Sequence, residues 1–285
     1  MTRLSIILLS ILLVSVSAFA QTEKSTPKSK FANFDGVKIH YNDVGKGSYA
    51  IIFIHGWACN ADFWQQSIND FPNYRTIAID LPGHGQSDKP KTVYSMDYFA
   101  KSVEAVLKDA GVKRAVLVGH SMGTPVARQV YRLFPSKVAG IVIVDGALYP
   151  YGTKEDSEKF LKPLRTNYQQ AAKEFVDYMI KPIADEKLKN QISAGMLATP
   201  DYVGISALEG FDDEKLWEKD RINVPVLAIL ADSGGWKPNT DEIYRSIAPN
   251  LDFRMWQGVS HFLMMEKPQV FNKSVKLFIG NNKLL

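Results

Sequence analysis

Along the chain, short and mostly apolar runs alternate with stretches in which apolar positions recur every three or four residues. The runs fall at residues 50–54, 75–80, 115–118, 140–144, 226–230 and 253–256. A run of this length with no polar face predicts a strand covered on both sides, the signature of a parallel sheet. Between the runs, residues 96–110 put Phe99, Val103, Val106, Leu107 and Ala110 on one helical face, and Gly111 supplies a stop. Residues 269–279 predict a closing helix. Ahead of the parallel runs, 30–34 and 37–42 flank Asp35-Gly36, a dipeptide suited to a two-residue hairpin turn. The alternation predicts an α/β fold, a mostly parallel sheet with helices on both faces.

The rhythm breaks once. Residues 149–220 hold no strand-like run; they are rich in charge, interrupted by prolines and helical in patches such as 168–180. The interval exceeds any ordinary connection, so it predicts an inserted helical cap, or lid. The core then comprises residues 30–148 and 221–285.

The first twenty residues stand apart. Arg3 is followed by an apolar run from Leu4 to Val14 and then by Ala18-Phe19-Ala20 before Gln21. This is the pattern of a secretory signal peptide, residues 1–20, cleaved after Ala20. A retained anchor is the alternative, but the run falls short of the ~20 residues that a spanning helix needs. The expectation is an exported protein, periplasmic or secreted, with no stable membrane anchor. Residues 21–29 predict a flexible leader, in which Lys24 and Lys28, with Lys30 just beyond, are solvated.

Composition changes this picture little. The chain has 285 residues and a net charge of +4. Loss of residues 1–20 removes Arg3 and no acid, leaving +3, too small and too dispersed to imply nucleic acid. One cysteine, Cys59, excludes an internal disulfide and predicts a buried structural thiol. No cluster of His, Asp and Glu has metal-ligand spacing, and no G-x-G-x-x-G follows a strand, so neither a metal nor a dinucleotide cofactor is expected.

Candidate chemistry begins where residues 115–118 run into Gly119-His120-Ser121-Met122-Gly123. A strand that ends this way and turns at once into a helix holds the serine on a strained turn at the carboxyl edge of the sheet. The amide of Met122, at the start of the following helix, faces a developing oxyanion on such a turn. A second strand ends in His55-Gly56-Trp57 and offers the amide of Trp57. His261, in Gly258-Val259-Ser260-His261-Phe262 after the last strand, supplies an imidazole at the same edge to move the serine proton. His55 and His84 read as structural, His40 as exposed in the hairpin, and His120 as pointing away from the site.

Together these motifs resemble the α/β-hydrolase superfamily: HGW, DLPGHGQSD, GHSMG and GVSHFLMMEKP occur in the order of that family. The resemblance implies an eight-stranded sheet, a helical cap at 149–220 and a serine–histidine pair. It also exposes a departure. The family's acid commonly follows the seventh strand in a pattern like G-x-x-D, and here Gly234 holds that place. Asp232 and Asp145 are the two substitutes, and a resemblance to haloalkane dehalogenases that carry the acid after strand six favours Asp145. The serine at the turn sets the chain apart from the dehalogenases and epoxide hydrolases of this fold, which use aspartate there.

The resulting expectation is a serine hydrolase with an acyl-enzyme mechanism. Ser121, His261 and Asp145 are its triad, Trp57 and Met122 its oxyanion donors. Trp57, Trp64, Met122, Trp236 and Phe262 would form an apolar pocket for a small-molecule acyl ester, with no cofactor. The activity expected is that of a carboxylesterase on small to medium acyl groups. A ligand sensor on the same fold, or a perhydrolase, lactonase or amidase, is the alternative.

Overall fold

A computed structural model describes residues 26–285; the expected signal peptide and residues 21–25 lie outside the described residues. Eight strands form one sheet: β1 (Lys28–Phe34), β2 (Val37–Val44), β3 (Tyr49–Ile54), β4 (Arg75–Ile79), β5 (Arg114–His120), β6 (Val138–Val144), β7 (Val226–Ala231) and β8 (Leu251–Trp256). Their spatial order is β1-β2-β4-β3-β5-β6-β7-β8. The hairpin β1–β2 joins the sheet antiparallel to β4, and every pairing from β4 to β8 is parallel. All residues of β4, β6 and β7 are buried, which is why, apart from Arg75 and Thr76 at the start of β4, they read as apolar runs.

The helices are α1 (Met96–Asp109), α2 (Gly123–Leu133), α3 (Lys154–Thr166), α4 (Tyr168–Ile180), α5 (Glu186–Leu197), α6 (Asp201–Glu209), α7 (Thr240–Ile247), α8 (Leu263–Glu266) and α9 (Pro268–Asn282). Local chemistry sets their ends. For α1, the Ser95 hydroxyl accepts from the Tyr98 amide at 3.1 Å, capping one of the free N–H groups of the first turn. Gly111 then takes φ +65°, a conformation that strains any residue with a Cβ. Helices α3–α6 occupy the interval between β6 and β7, which contains no strand. Among the described residues no helix is long and apolar enough to cross a membrane.

Two expectations about the hairpin need correction. Residues 28 and 29 belong to β1 rather than to a flexible leader, and Lys30 pairs with Asp43 at 2.7 Å. His40 is fully buried, not exposed. Its Nδ1 lies 2.7 Å from Asp80 and its Nε2 2.9 Å from the Ser29 hydroxyl. Burial would raise the Asp80 carboxyl, but hydrogen bonds from His40 and from the amides of Gln86 and Ala61 outweigh it and hold the group below its usual range. An ionised Asp80 accepts only, so Nδ1 of His40 carries the proton in that contact. The misreading came from the alternation of the hairpin, which does not reveal that β2 is an inner strand paired on both edges.

Candidate functional site

The parallel strands all deliver their carboxyl ends to one edge, and the site is built there. At the end of β5, Ser121 has φ +51°, inside the left-handed region. For a non-glycine residue this conformation costs about 1–3 kcal/mol, and the surroundings must enforce it. The Ser121 amide donates to the Val144 carbonyl of β6 and its carbonyl accepts from the Thr124 amide, both at 2.9 Å. Close packing allows no relief. A Cβ on Gly119 would lie 2.2 Å from the Gly123 carbonyl oxygen, and one on Gly123 would lie 2.4 Å from the Ile54 carbonyl oxygen. The paired glycines therefore press α2 directly onto the backbone of β3 and β5.

Two further non-glycine residues at this edge are left-handed: Ala58 (φ +57°), beyond β3, and Asp145 (φ +46°), beyond β6. Strain is thus concentrated where β3, β5 and β6 end. Trp57 adjoins Ala58, and Met122 adjoins Ser121. Among the described residues, neither the Trp57 nor the Met122 amide donates to a protein acceptor. Both residues line the same cavity as Ser121.

Asp145 and His261 meet. Oδ2 of Asp145 is 2.6 Å from Nδ1 of His261, and Oδ1 accepts from the Ala231 amide at the end of β7 at 2.7 Å. The aspartate is buried, whereas His261 is about one-quarter exposed. Asp232, the other candidate, lies on the same cavity but bonds to Gln257 and not to the histidine. With Asp145 on Nδ1, the free Nε2 of His261 is the ring's available acceptor. No hydrogen bond joins it to the Ser121 hydroxyl in this structure, although both groups line one cavity. Such contacts often tighten only when substrate binds.

The loop that carries His261 is tied down from two sides. Glu266 accepts from the Ser260 amide at 2.7 Å and from the Ser260 hydroxyl. His120 does not point away from the site, as its place beside the serine had suggested. Its Nε2 donates to the His261 carbonyl at 2.9 Å, and the two rings lie 4.7 Å apart. Burial, and after it the nearby His261, pushes the His120 pKa well down, so this ring is neutral. His55 and His84 are structural, as expected. Both are buried; Nε2 of His55 accepts from the Leu81 amide at 3.0 Å, and Nδ1 of His84 donates to the Pro82 carbonyl at 3.0 Å. Cys59 is buried, and burial raises its thiol pKa.

The cavity has a volume of about 1120 Å³. Trp57, Met122, Trp236 and Phe262 border it; Trp64 does not. Trp64 is fully buried between Phe53 of β3 and Phe271 of α9, at ring distances of 5.0 and 6.1 Å, so its expected substrate contact is replaced by a core role. Sequence reasoning missed the aromatic wall from the inserted helices, namely Tyr151, Phe160, Phe175, Phe211 and Trp217. The one available signal was the recurrence of aromatic residues in an otherwise charged interval. The Trp57 indole donates to the Gly204 carbonyl of α6 at 2.8 Å, joining the core edge to that insertion.

Comparison with known proteins agrees with this architecture. The family defined by the alpha/beta hydrolase fold matches residues 49–190. A non-heme chloroperoxidase of Streptomyces lividans is 30% identical over 273 residues, covering 86% of this chain and 97% of that protein. Among solved structures, Est816, described as an N-acyl homoserine lactone degrading enzyme, is 26% identical with a TM-score of 0.74, covering 87% of this chain and 99% of that one. An esterase from Exiguobacterium antarcticum superposes with a TM-score of 0.79 at 19% identity over 89% of this chain and all of that one, a likeness of fold. The chain belongs to the α/β hydrolase family.

Proposed function

We propose that this protein is a serine hydrolase that cleaves carboxylic esters of small-molecule substrates through an acyl-enzyme. The observation that carries the reading is the joint placement of strained Ser121 and the 2.6 Å Asp145–His261 pair on one cavity. In this scheme Nε2 of His261 takes the Ser121 proton as Oγ attacks the ester carbonyl carbon. The amides of Trp57 and Met122 receive the tetrahedral oxyanion, each such donor being worth on the order of 10²–10³ in rate. Asp145 keeps the proton on Nδ1 and stabilises the imidazolium. Collapse of the intermediate breaks the C–O bond, and His261 returns its proton to the departing alcohol. Water, activated by the same imidazole, then releases the acid and frees Ser121.

A second reading is supported by the resemblance to a non-heme chloroperoxidase. Hydrogen peroxide in place of water at the acyl-enzyme yields a peracid from the same residues, with no redox cofactor. The apolar run after Arg3 and the Ala18-Phe19-Ala20 boundary support action outside the cytoplasm.

Purified protein assayed with p-nitrophenyl acetate and butyrate, beside Ser121→Ala, tests the main reading. Turnover that vanishes in the variant, together with stoichiometric fluorophosphonate labelling of Ser121, is the expected result. Ligand binding with neither turnover nor labelling would make the protein a sensor on a hydrolase fold. Peracid formed faster than acid in the presence of peroxide would favour the second reading.

A further inference from the structure

One buried guanidinium touches both places where the inserted helices join the core. Arg128 lies on α2, about two helical turns beyond Ser121, and its side chain is 2% exposed. One terminal nitrogen donates to the Leu148 carbonyl at 3.3 Å, on the segment that leaves β6 for the insertion. The other donates to the Glu218 carbonyl and to Oδ1 of Asp220 at 2.7 Å, on the segment that returns toward β7. Arg132, one turn further along α2, reinforces the returning side only. It donates to the carbonyls of Leu216 at 3.0 Å and Glu218 at 2.9 Å, and to Oδ2 of Asp220 at 2.8 Å.

The clamped segments carry cavity wall. Next to Leu148 come Tyr149 and Tyr151; shortly before Glu218 come Phe211 and Trp217, and all four face the cavity. The two walls meet: Tyr151 stands 5.9 Å from Phe211 and 6.5 Å from Trp217, measured between rings. A guanidinium suits this task because its rigid fork bonds several acceptors in one plane, which an ammonium cannot do. Burying such a charge is costly unless it is paired and hydrogen-bonded; here two carbonyls and one carboxylate take the two terminal nitrogens, while Nε has no partner.

We propose that Arg128 is a positioning residue that locks both hinges of the cap to the helix behind Ser121, and so sets which acyl groups the cavity admits. For substrate selection the proposal rests on the esterase reading; the hinge-locking part stands on geometry alone. Loosening the clamp would let the Tyr151 and Trp217 walls separate. A bulky acyl group, which fills the space between them, would lose contacts. An acetyl group, held next to Ser121, would not.

The test uses the full protein with Arg128→Lys and, in parallel, Asp220→Asn, which alters a half-exposed carboxylate and leaves the buried arginine in place. Amide hydrogen exchange should speed about tenfold at residues 147–152 and 213–220 while β5 and β6 keep their rates. The KM for p-nitrophenyl octanoate should rise about tenfold, with the KM for the acetate ester and the rate of phosphonate labelling within about threefold of wild type. The Asp220→Asn effect should have the same sign and be smaller. Should Arg128→Lys fail to fold, Asp220→Asn carries the test by itself. Unchanged exchange at both hinges overturns the proposal, as does an equal loss on both esters. Exchange is measured without substrate, so failure of the esterase reading leaves that arm decisive.

Discussion

Asp145 holds Nδ1 of His261 with one carboxylate oxygen, at 2.6 Å, and takes the Ala231 amide of the neighbouring strand with the other, at 2.7 Å. Asparagine at position 145 can keep the second contact through its carbonyl, but it turns an N–H toward the histidine and forces the wrong tautomer. Asp145→Asn should therefore lower kcat for p-nitrophenyl butyrate by about 10⁴-fold with thermal stability near wild type. Asp232→Asn should change kcat by less than about threefold. The reverse order of effects would move the acid to the end of β7.

The turn at Ser121 depends on backbone contact between α2 and the strands beneath it. Gly119→Ala or Gly123→Ala places a methyl group within 2.2–2.4 Å of a carbonyl oxygen that has no room to retreat. Each should destabilise the fold by about 3 kcal/mol or more, read as a lower urea midpoint. Ser121→Ala, which removes only a hydroxyl, should leave that midpoint close to wild type while abolishing turnover.

His120 supports His261 through its main chain. Removing the donor leaves a partly buried carbonyl without a partner, a loss of about 1–3 kcal/mol. In His120→Phe this should appear as a fall in kcat of about tenfold or more, with KM little changed. His120→Gln, which keeps an N–H in reach, should recover most of the rate. Equal damage in both variants would mean that ring packing, not the hydrogen bond, holds the loop.

Buried neutral imidazoles make the fold sensitive to acid. Burial first, and then neighbouring histidines, depress His84 from 6.5 to about 3 and push His120 well below its ordinary value. Below pH 6.5 the unfolded chain takes up these protons while the folded chain refuses them. Their contribution is complete above that pH and is lost progressively as the pH falls. His84 alone contributes a slope of about 1.4 kcal/mol per pH unit well below pH 6.5, and His120 acts in the same direction, so urea unfolding at pH 5 should show stability lower by about 2 kcal/mol or more than at pH 7. A flat profile would show that these rings are protonated in the fold.

Expressed with its own leader in a bacterial host, the protein should be recovered from the periplasm or medium with Gln21 as its first residue. Intact mass and N-terminal sequencing check this, and retention of Met1 on a membrane pellet would reverse it.

How far the sequence carried these conclusions depended on where each force acts. The inner strands were legible because burial on both faces leaves no polar residue along β4, β6 or β7 beyond Arg75 and Thr76 at the start of β4. The ends of β5, β6 and β7 were read short by one or two residues, since polar Arg114 and the polar close of β5 at His120 still sit in the ladder, while β4 was read one residue long, through Asp80. Ser121 and the close approach of α2 were legible because only glycine tolerates the backbone contacts on either side. Asp145 rather than Asp232 was a matter of which strand end faces His261, a tertiary fact that residue spacing does not encode. Helix α7, whose short amphipathic pattern follows a glycine-rich loop, was missed outright. Trp64 was misassigned because adjacency in the chain to a site-forming loop says nothing about which way an indole turns. The insertion between β6 and β7 resisted reading most, because its aromatic wall is assembled from Tyr151 ahead of α3, Phe160 of α3, Phe175 of α4, and Phe211 and Trp217 after α6.

With the carboxylate that meets His261 supplied from the end of β6, the stretch from Asp232 to Lys237 beyond β7 is left free of that contact. It still borders the cavity through Ser233, Gly235 and Trp236. Mutation there can remodel the mouth without touching the Asp145–His261 contact, so this loop is where new preferences would arise at least expense to turnover, and where a library for altered selectivity should begin.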